Sequence, residues 1–269
     1  MFPLRTNSLP PDAHALRAAL EESLTQIIRP ALPEMVVIED RNYPQLAAIR
    51  VSLDDATAGD LPSPRLGPPV GKVAPALEVE HFEVTGRSVR VQRAAVNLSC
   101  VAEDVHIGQA RDGDGNLLLL LQKAAHGRIE VSLPVSDLEA LVRSAATGVA
   151  ARQGIVLEDM QLRVRALTAR ALAIETQVRA RKLFLNTEVR IQGKVEIDKQ
   201  LDAQLTGLEC RGEGTLGTLA CGFLGPHLER LNNRKYPLVA LPFGQVKLRD
   251  IQIAVDQKLT VTAQFGSET

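Results

Sequence analysis

The sequence is poor in aromatic side chains, which make up 3% of its 269 residues and include no tryptophan. Proteins that bind single-stranded nucleic acid stack bases on such rings, so their scarcity argues against that class of ligand. The charge agrees, because 31 basic and 32 acidic side chains give a net charge of -1 and no overall basic surface. We therefore expect no nucleic-acid partner.

Long apolar runs are also missing, since the longest uninterrupted run covers only residues 117–121. A membrane-spanning helix needs about twenty apolar residues, so any contact with an anionic membrane is expected to be peripheral. The amino terminus does not have the basic start and apolar stretch of a secretory signal. The sequence as it stands predicts a cytoplasmic or membrane-peripheral protein, or an envelope protein if a signal was removed.

Residues that could carry covalent or metal chemistry are few. Cys100, Cys210 and Cys221 are the only cysteines, and an odd number argues against a disulfide framework. A bridge between Cys210 and Cys221 stays open, although a reducing compartment would disfavour it. The five histidines have no metal-ligand spacing and no serine stands in a G-x-S-x-G turn. We expect no metal, no cofactor and no enzymatic activity, although a hydrolase site assembled only in space would escape this test.

Two local motifs imitate ligand-binding loops. Residues 212–217 spell G-x-G-x-x-G between a strand and a helix, but the strand is amphipathic and no parallel strand follows, which favours a flexible strand-to-helix corner over a dinucleotide site. Asp112, Asp114 and Asn116 resemble the start of a calcium loop. Its sixth position is Leu117 instead of glycine, so a hairpin turn is the better interpretation.

A group of basic residues lies on the polar faces of neighbouring predicted strands. One interpretation is a solvated sheet face interleaved with Glu175 and Glu188, and the other is attraction to anionic lipid headgroups. The group comprises Arg163, Arg165, Arg170, Arg179, Arg181, Lys182 and Arg190.

Apolar periodicity predicts three amphipathic helices, at residues 11–29, 136–152 and 217–232. Ser136 and Glu139 have the spacing of a capping box for the second helix. Residues 58–75 are rich in proline and glycine and predict a long loop. The loop would separate an N-terminal part, residues 1–75, from residues 76–269, unless the two form one continuous domain.

The rest of the chain shows strand alternation. Leu172, Ile174 and Val178 alternate with polar neighbours, which is typical of an antiparallel sheet covered on one face. The predicted strands cover residues 77–85, 88–93, 95–101, 104–109, 117–123, 128–133, 157–167, 171–180, 183–191, 194–208, 245–255 and 258–265. The pattern predicts an α+β fold in which helices cover the apolar face of the sheet.

The order of these elements from about residue 115 to 266 resembles the bacterial LmeA-like phospholipid-binding family. The resemblance rests on the strand and helix around 134–141, the leucine-rich stretch at 223–231, the segment 237–244, and the closing strands 246–253 and 259–262. It implies a tubular lipid-binding (TULIP-like) fold, with long amphipathic helices packed in a strongly curved antiparallel sheet. It further implies that acyl chains lie between helix and sheet.

The predicted function is therefore to bind or carry a phospholipid or another long apolar ligand without catalysis. The alternative is an interaction scaffold with a filled core, which docks a partner on an edge strand or on the proline-rich loop. The oligomeric state stays open. The predicted apolar lining is Leu138, Leu141, Val142, Ala145, Val149, Leu172, Ile174, Val178, Leu185, Val189, Phe223, Leu224 and Leu228.

Overall fold

The computed structural model describes residues 2–4, 6–58, 68–152, 154–182, 185–238 and 246–267, apart from the side chains of residues 149, 182, 185, 216, 223 and 227. Strands account for 60% of the chain and helices for 19%. The described residues form two sheets and divide into two compact units. Unit 1 comprises Met1–Ser132, Ala240–Asp250 and Thr262–Thr269, and unit 2 comprises Leu133–Val239 and Ile251–Val261.

The described chain begins with nine strands and one helix. In chain order they are β1 (Phe2–Leu4), α1 (Ala13–Thr25), β2 (Ile28–Arg29), β3 (Val36–Asn42), β4 (Gln45–Ser52), β5 (Thr57–Ala58), β6 (Val70–Val91), β7 (Ala94–Arg111), β8 (Leu117–Lys123) and β9 (His126–Pro134). The chain continues with α2 (Val135–Arg152), β10 (Val156–Thr168), β11 (Ala171–Lys182), β12 (Leu185–Ile197), β13 (Asp202–Gly212), α3 (Gly214–Leu231), β14 (Lys235–Pro237), β15 (Leu248–Val255) and β16 (Lys258–Phe265).

The larger sheet is built around the long hairpin of β6 and β7. Its main order is β15-β16-β9-β7-β6-β4-β3, and β8 joins the edge of β7 beyond the segment that pairs with β9. The pairs β3–β4, β6–β7, β7–β8 and β7–β9 are antiparallel, whereas β4 and β5 run parallel to β6. Helix α1 lies against β1, β2 and β3. The core of unit 1 therefore forms from this sheet and α1.

Unit 2 contains a second sheet of five antiparallel strands in sequence order, β10-β11-β12-β13-β14. Helix α2 lies against β10, and α3 lies against β12 and β13. The predicted alternation is confirmed on β11 and β12, because Val178 stands directly opposite Val189 while Arg179 pairs with Glu188. Apolar and charged side chains thus separate onto the two faces of this sheet.

The predicted fold of long amphipathic helices in a strongly curved sheet is wrong. Only three helices occur in the described residues, with 13, 18 and 18 residues, and each contacts a limited set of strands. The hydrophobic pattern identified the helices, but it could not say whether strands or helices would supply most of the packing. No helix among the described residues is long and apolar enough to cross a membrane.

Two boundaries predicted around β6 and β7 are also wrong. The predicted strands 77–85 and 88–93 are one strand, β6, and 95–101 and 104–109 are one strand, β7. Each long strand contains a residue with positive φ, Ser88 at 53° and Asp104 at 49°, where the alternation is disturbed. The predicted loop 58–75 is shortened as well, because residues 70–75 begin β6, while residues 59–67 lie outside the described chain.

The predicted capping box of α2 does not form. The helix already begins at Val135, so Ser136 lies inside its first turn. Glu139 instead accepts a hydrogen bond from the backbone N–H of Leu162 on β10 at 2.9 Å and pairs with Arg143 at 3.0 Å. Because β10 is the first strand of its sheet, Glu139 satisfies an edge N–H group that would otherwise have no partner.

Cys210 and Cys221 form a disulfide, which is the pairing that the sequence left open. The bond joins β13 to α3 across a Cα–Cα distance of 5.4 Å. The glycine motif beside it is the predicted strand-to-helix corner, but it is close-packed instead of flexible, because a Cβ at Gly217 would lie 2.6 Å from the backbone of Gly212. Both features hold the first turns of α3 tightly against β13.

Candidate functional site

Unit 1 contains a cavity of about 360 Å³ between α1 and the larger sheet. This volume lies within the range of sites for small apolar ligands. Every lining side chain is apolar except the thiol of Cys100, so the cavity offers no charge and no strong hydrogen-bonding group. The lining residues are Phe2, Leu20, Leu24, Ile49, Val51, Leu53, Leu77, Phe82, Val84, Cys100, Ala102, Val105, Ile107, Leu119, Leu121 and Phe265.

Helix α1 closes one side of this cavity with Leu20 and Leu24. Asp12 caps the helix by accepting a hydrogen bond from the N–H of Ala15 at 2.8 Å, which satisfies one of its unpaired amides. Glu21 then fixes the helix to the sheet, because its carboxylate accepts from the backbone N–H of Val36 on β3 at 3.3 Å. Leu24 follows Leu20 by about one helical turn, so the two side chains lie on the same face of α1 and Leu24 points into the cavity.

Strand β7 supplies lining residues on both sides of Asp104. Cys100 and Ala102 precede it at even positions, whereas Val105 and Ile107 follow it at odd positions, and all four face the cavity. In a regular strand such residues would point to opposite faces. Asp104, which has a positive φ, lies at this change of phase, and pairing with β6 continues on either side of it.

Phe265, on the last strand of the chain, reaches the cavity over Gly127 of β9. A Cβ at Gly127 would overlap the ring of Phe265, so only glycine permits this approach. Phe265 is itself buried, with 4% of its surface exposed. The cavity thus joins residues from both ends of the chain, which no local sequence pattern could reveal.

Cys100 is the one lining group that can titrate, and its chemistry is suppressed. Burial in the apolar wall disfavours the thiolate and raises the pKa of Cys100 to about 11. A reactive cysteine needs a lowered pKa, which nearby positive charge usually provides. The cavity is therefore suited to holding an apolar ligand and not to nucleophilic chemistry.

We expect Cys100 to react with iodoacetamide about a hundredfold more slowly at pH 8 than the same cysteine in the unfolded chain, since its pKa is raised from 9.0 to about 11. The rate should rise about tenfold per pH unit up to that pKa. Mass spectrometry of the alkylated protein measures both effects, and Cys100→Ala is the control. Equal rates in the folded and unfolded chain would show that the thiol is not buried.

The structure places the predicted lining residues in unit 2, on elements that are only partly brought together. Helix α2 contacts β10, α3 contacts β12 and β13, and β11 lies between β10 and β12. Among them Leu172 and Val189 are buried and Ala145 is exposed, while the side chains of Val149, Leu185 and Phe223 lie outside the description. The half-buried residues are Leu138, Leu141, Val142, Ile174, Val178, Leu224 and Leu228. Their role as a lipid-binding face stays a prediction.

Three residues of the predicted basic group in unit 2, Arg179, Arg181 and Arg190, pair with carboxylates on neighbouring strands. Arg190 pairs with Glu175 and Arg181 pairs with Glu158, each at 3.3 Å. With the Arg179–Glu188 pair, these contacts favour the interpretation of a solvated, interleaved sheet face. In the other motif, Asp112 accepts hydrogen bonds from Asn116, which lower the pKa of Asp112 and close the predicted hairpin turn.

A cavity lined by aliphatic and aromatic carbon is the kind of site that suits an apolar ligand. The chain matches the LmeA-like phospholipid-binding family over residues 75–264, and it belongs to this family. The match confirms the resemblance. It begins at residue 75, in β6, whereas the resemblance began at about residue 115. No curated protein and no solved structure matches the chain significantly.

Proposed function

We propose that this protein binds a phospholipid by taking an acyl chain into the cavity of unit 1. The observation that carries the proposal is the entirely apolar lining of a cavity of about 360 Å³ in a member of a phospholipid-binding family. Each methylene moved from water into such a lining contributes about 0.8 kcal/mol. An aliphatic wall also fits chains of different saturation, because it makes no directional contacts.

We further propose that the protein binds its ligand without catalysing a reaction. The lining contains no carboxylate, histidine or hydroxyl group, and the Cys100 thiol is held in its unreactive form. An ester bond in the cavity would therefore find no base and no activated nucleophile. The unfilled space also favours ligand binding over the alternative of a scaffold with a filled core.

The location of the ligand can be tested with a phospholipid that carries a photoactivatable diazirine in its acyl chain. After irradiation and proteolysis, we expect labelled peptides from β6, β7 and β8, since these strands line most of the cavity. An excess of unlabelled phospholipid should abolish the label. Mass spectrometry identifies the modified residues.

The same experiment tests the lining predicted in unit 2. Labels confined to α2, α3 and β11 would contradict the cavity of unit 1 and support the predicted face instead. Labels spread evenly over exposed residues of both units would indicate non-specific contact and would contradict both locations.

A further inference from the structure

A second concave region, which we call the hairpin pocket, lies where β7 turns into β8, and its lining is partly polar. Its volume is about 550 Å³. Unlike the apolar cavity, it contains two cationic side chains, Lys72 and Arg111, and hydrogen-bonding groups on Ser8 and Gln109. Leu9, Val70, Ala110 and Leu117 complete the lining.

The hairpin pocket continues the sheet face that lines the cavity. Alternate residues of β8 point to one face, so Leu121, Leu119 and Leu117 lie in a row with about 7 Å between successive residues. Leu121 and Leu119 line the cavity and Leu117 lines the hairpin pocket. On the paired strand, Ile107 stands opposite Leu121 and Arg111 opposite Leu117. An extended molecule on this face would pass from purely apolar to cationic surroundings.

Neither cation is neutralised by a carboxylate in the described part of the chain. Arg111 donates hydrogen bonds to the carbonyl oxygens of Gly115, at 2.7 Å, and Asn7, which fix its position without cancelling its charge. Lys72 is exposed and takes part in none of the ion pairs of the described residues. The nearby Asp112 is engaged by the amides of its own turn.

We infer that the hairpin pocket binds the phosphate of an anionic lipid whose acyl chain lies in the cavity. A guanidinium fork and an ammonium group are the side chains that bind phosphate most often, and Arg111 is held in place before a ligand arrives. The inference rests on the proposed function, since it uses the acyl chain to bring the headgroup to this end of the sheet. A free phosphate would satisfy the same groups, so the test must separate the two sources.

Two ligands that differ only in the phosphate provide this test, myristoyl lysophosphatidic acid and monomyristoylglycerol. Their affinities are measured by displacement of phenylnaphthylamine from the protein. We expect the phosphate-containing lipid to bind about tenfold more tightly. The Lys72→Gln variant should reduce that preference about fivefold and leave the affinity for monomyristoylglycerol unchanged. Lys72 is chosen because Arg111 also holds the hairpin and the N-terminal segment together.

Lys123 provides a matched control, because it is an exposed lysine at the opposite end of β8. The Lys123→Gln variant should keep the full preference for the phosphate, and an equal loss in both variants would overturn the inference. Equal binding of the two lipids by the unmodified protein would overturn it as well, with acyl-chain binding intact. If neither lipid binds, the proposed function fails and the inference fails with it. Inorganic phosphate that binds as tightly as the lipid in calorimetry would assign the pocket to free phosphate instead.

Discussion

Replacing Ala102 by phenylalanine is expected to abolish acyl-chain binding while the protein stays folded. Ala102 is 2% exposed and lines the cavity in the middle of β7, opposite Phe82. The new ring would occupy the space of several methylenes, and the loss of about four of them costs about 3 kcal/mol. That energy corresponds to a loss of affinity of about a hundredfold or more. Displacement of phenylnaphthylamine by a phospholipid measures the effect.

A graded series and a matched control separate the filled cavity from a disturbed fold. Ala102→Val should lose part of the affinity, because it removes less space. The control, Ala254→Phe, makes the same substitution at an exposed position of β15 and should bind as the unmodified protein does. The free energy of unfolding should change by less than about 2 kcal/mol in each variant. The side chains added at residue 102 enter the cavity, and the ring added at residue 254 lies at an exposed position. Full binding by Ala102→Phe would contradict the assignment of the cavity.

Elements that are short and strongly patterned could be predicted from the sequence. The apolar run at residues 117–123 and the final strand at 258–265 have the predicted bounds, because a turn marks the beginning or the end of each. The helix predicted at 11–29 is shorter, since the structure ends it at Thr25 and places Ile28 and Arg29 in β2. Local signals therefore fixed the type of these elements better than their ends.

The long central strands could not be predicted because their alternation is interrupted from within. Asp104 and Ser88 take positive φ values that non-glycine residues rarely adopt, and the backbone continues in the same sheet beyond them. Sequence reasoning interprets a change of phase as the end of a strand. At Asp104 the same change of phase is what turns both halves of β7 toward one cavity.

The location of the cavity is the part of the site that sequence reasoning missed. Its lining runs from Phe2 to Phe265, and Leu20 and Leu24 lie before the stretch that matches the family. Residues so distant meet only through sheet pairing, such as that of Phe2 with Leu119. The alternation of apolar and polar residues is clearer in unit 2, so the sequence predicted the ligand-binding lining in that unit. The one local signal was the pair of glycines, Gly127 and Gly266, that flank the approach of Phe265.

Replacing both Cys210 and Cys221 by alanine is expected to loosen α3 selectively. The disulfide closes a loop of sequence separation 11, for which chain entropy gives about 3 kcal/mol of stabilisation. Among the described residues of α3 only Gly217 is buried, and Leu219 and Leu231 are exposed, so we expect the bridge to contribute much of the attachment of α3. Hydrogen exchange should therefore speed up about a hundredfold in α3, within the limit set by global unfolding, and stay unchanged in β6 and β7 of unit 1.

The Cys100→Ala variant is the control for this experiment, since it removes a thiol without touching the bridge. Treating the unmodified protein with dithiothreitol should reproduce the double replacement, and both should leave binding to the cavity of unit 1 intact. Equal exchange of α3 in all samples would contradict a stabilising role for the bridge. Proteins keep such bridges in oxidising compartments, so alkylation of cell extracts under denaturing, non-reducing conditions should modify Cys100 alone. Modification of all three cysteines would place the chain in a reducing environment, where α3 would keep the close contact between Gly212 and Gly217 but not the bridge.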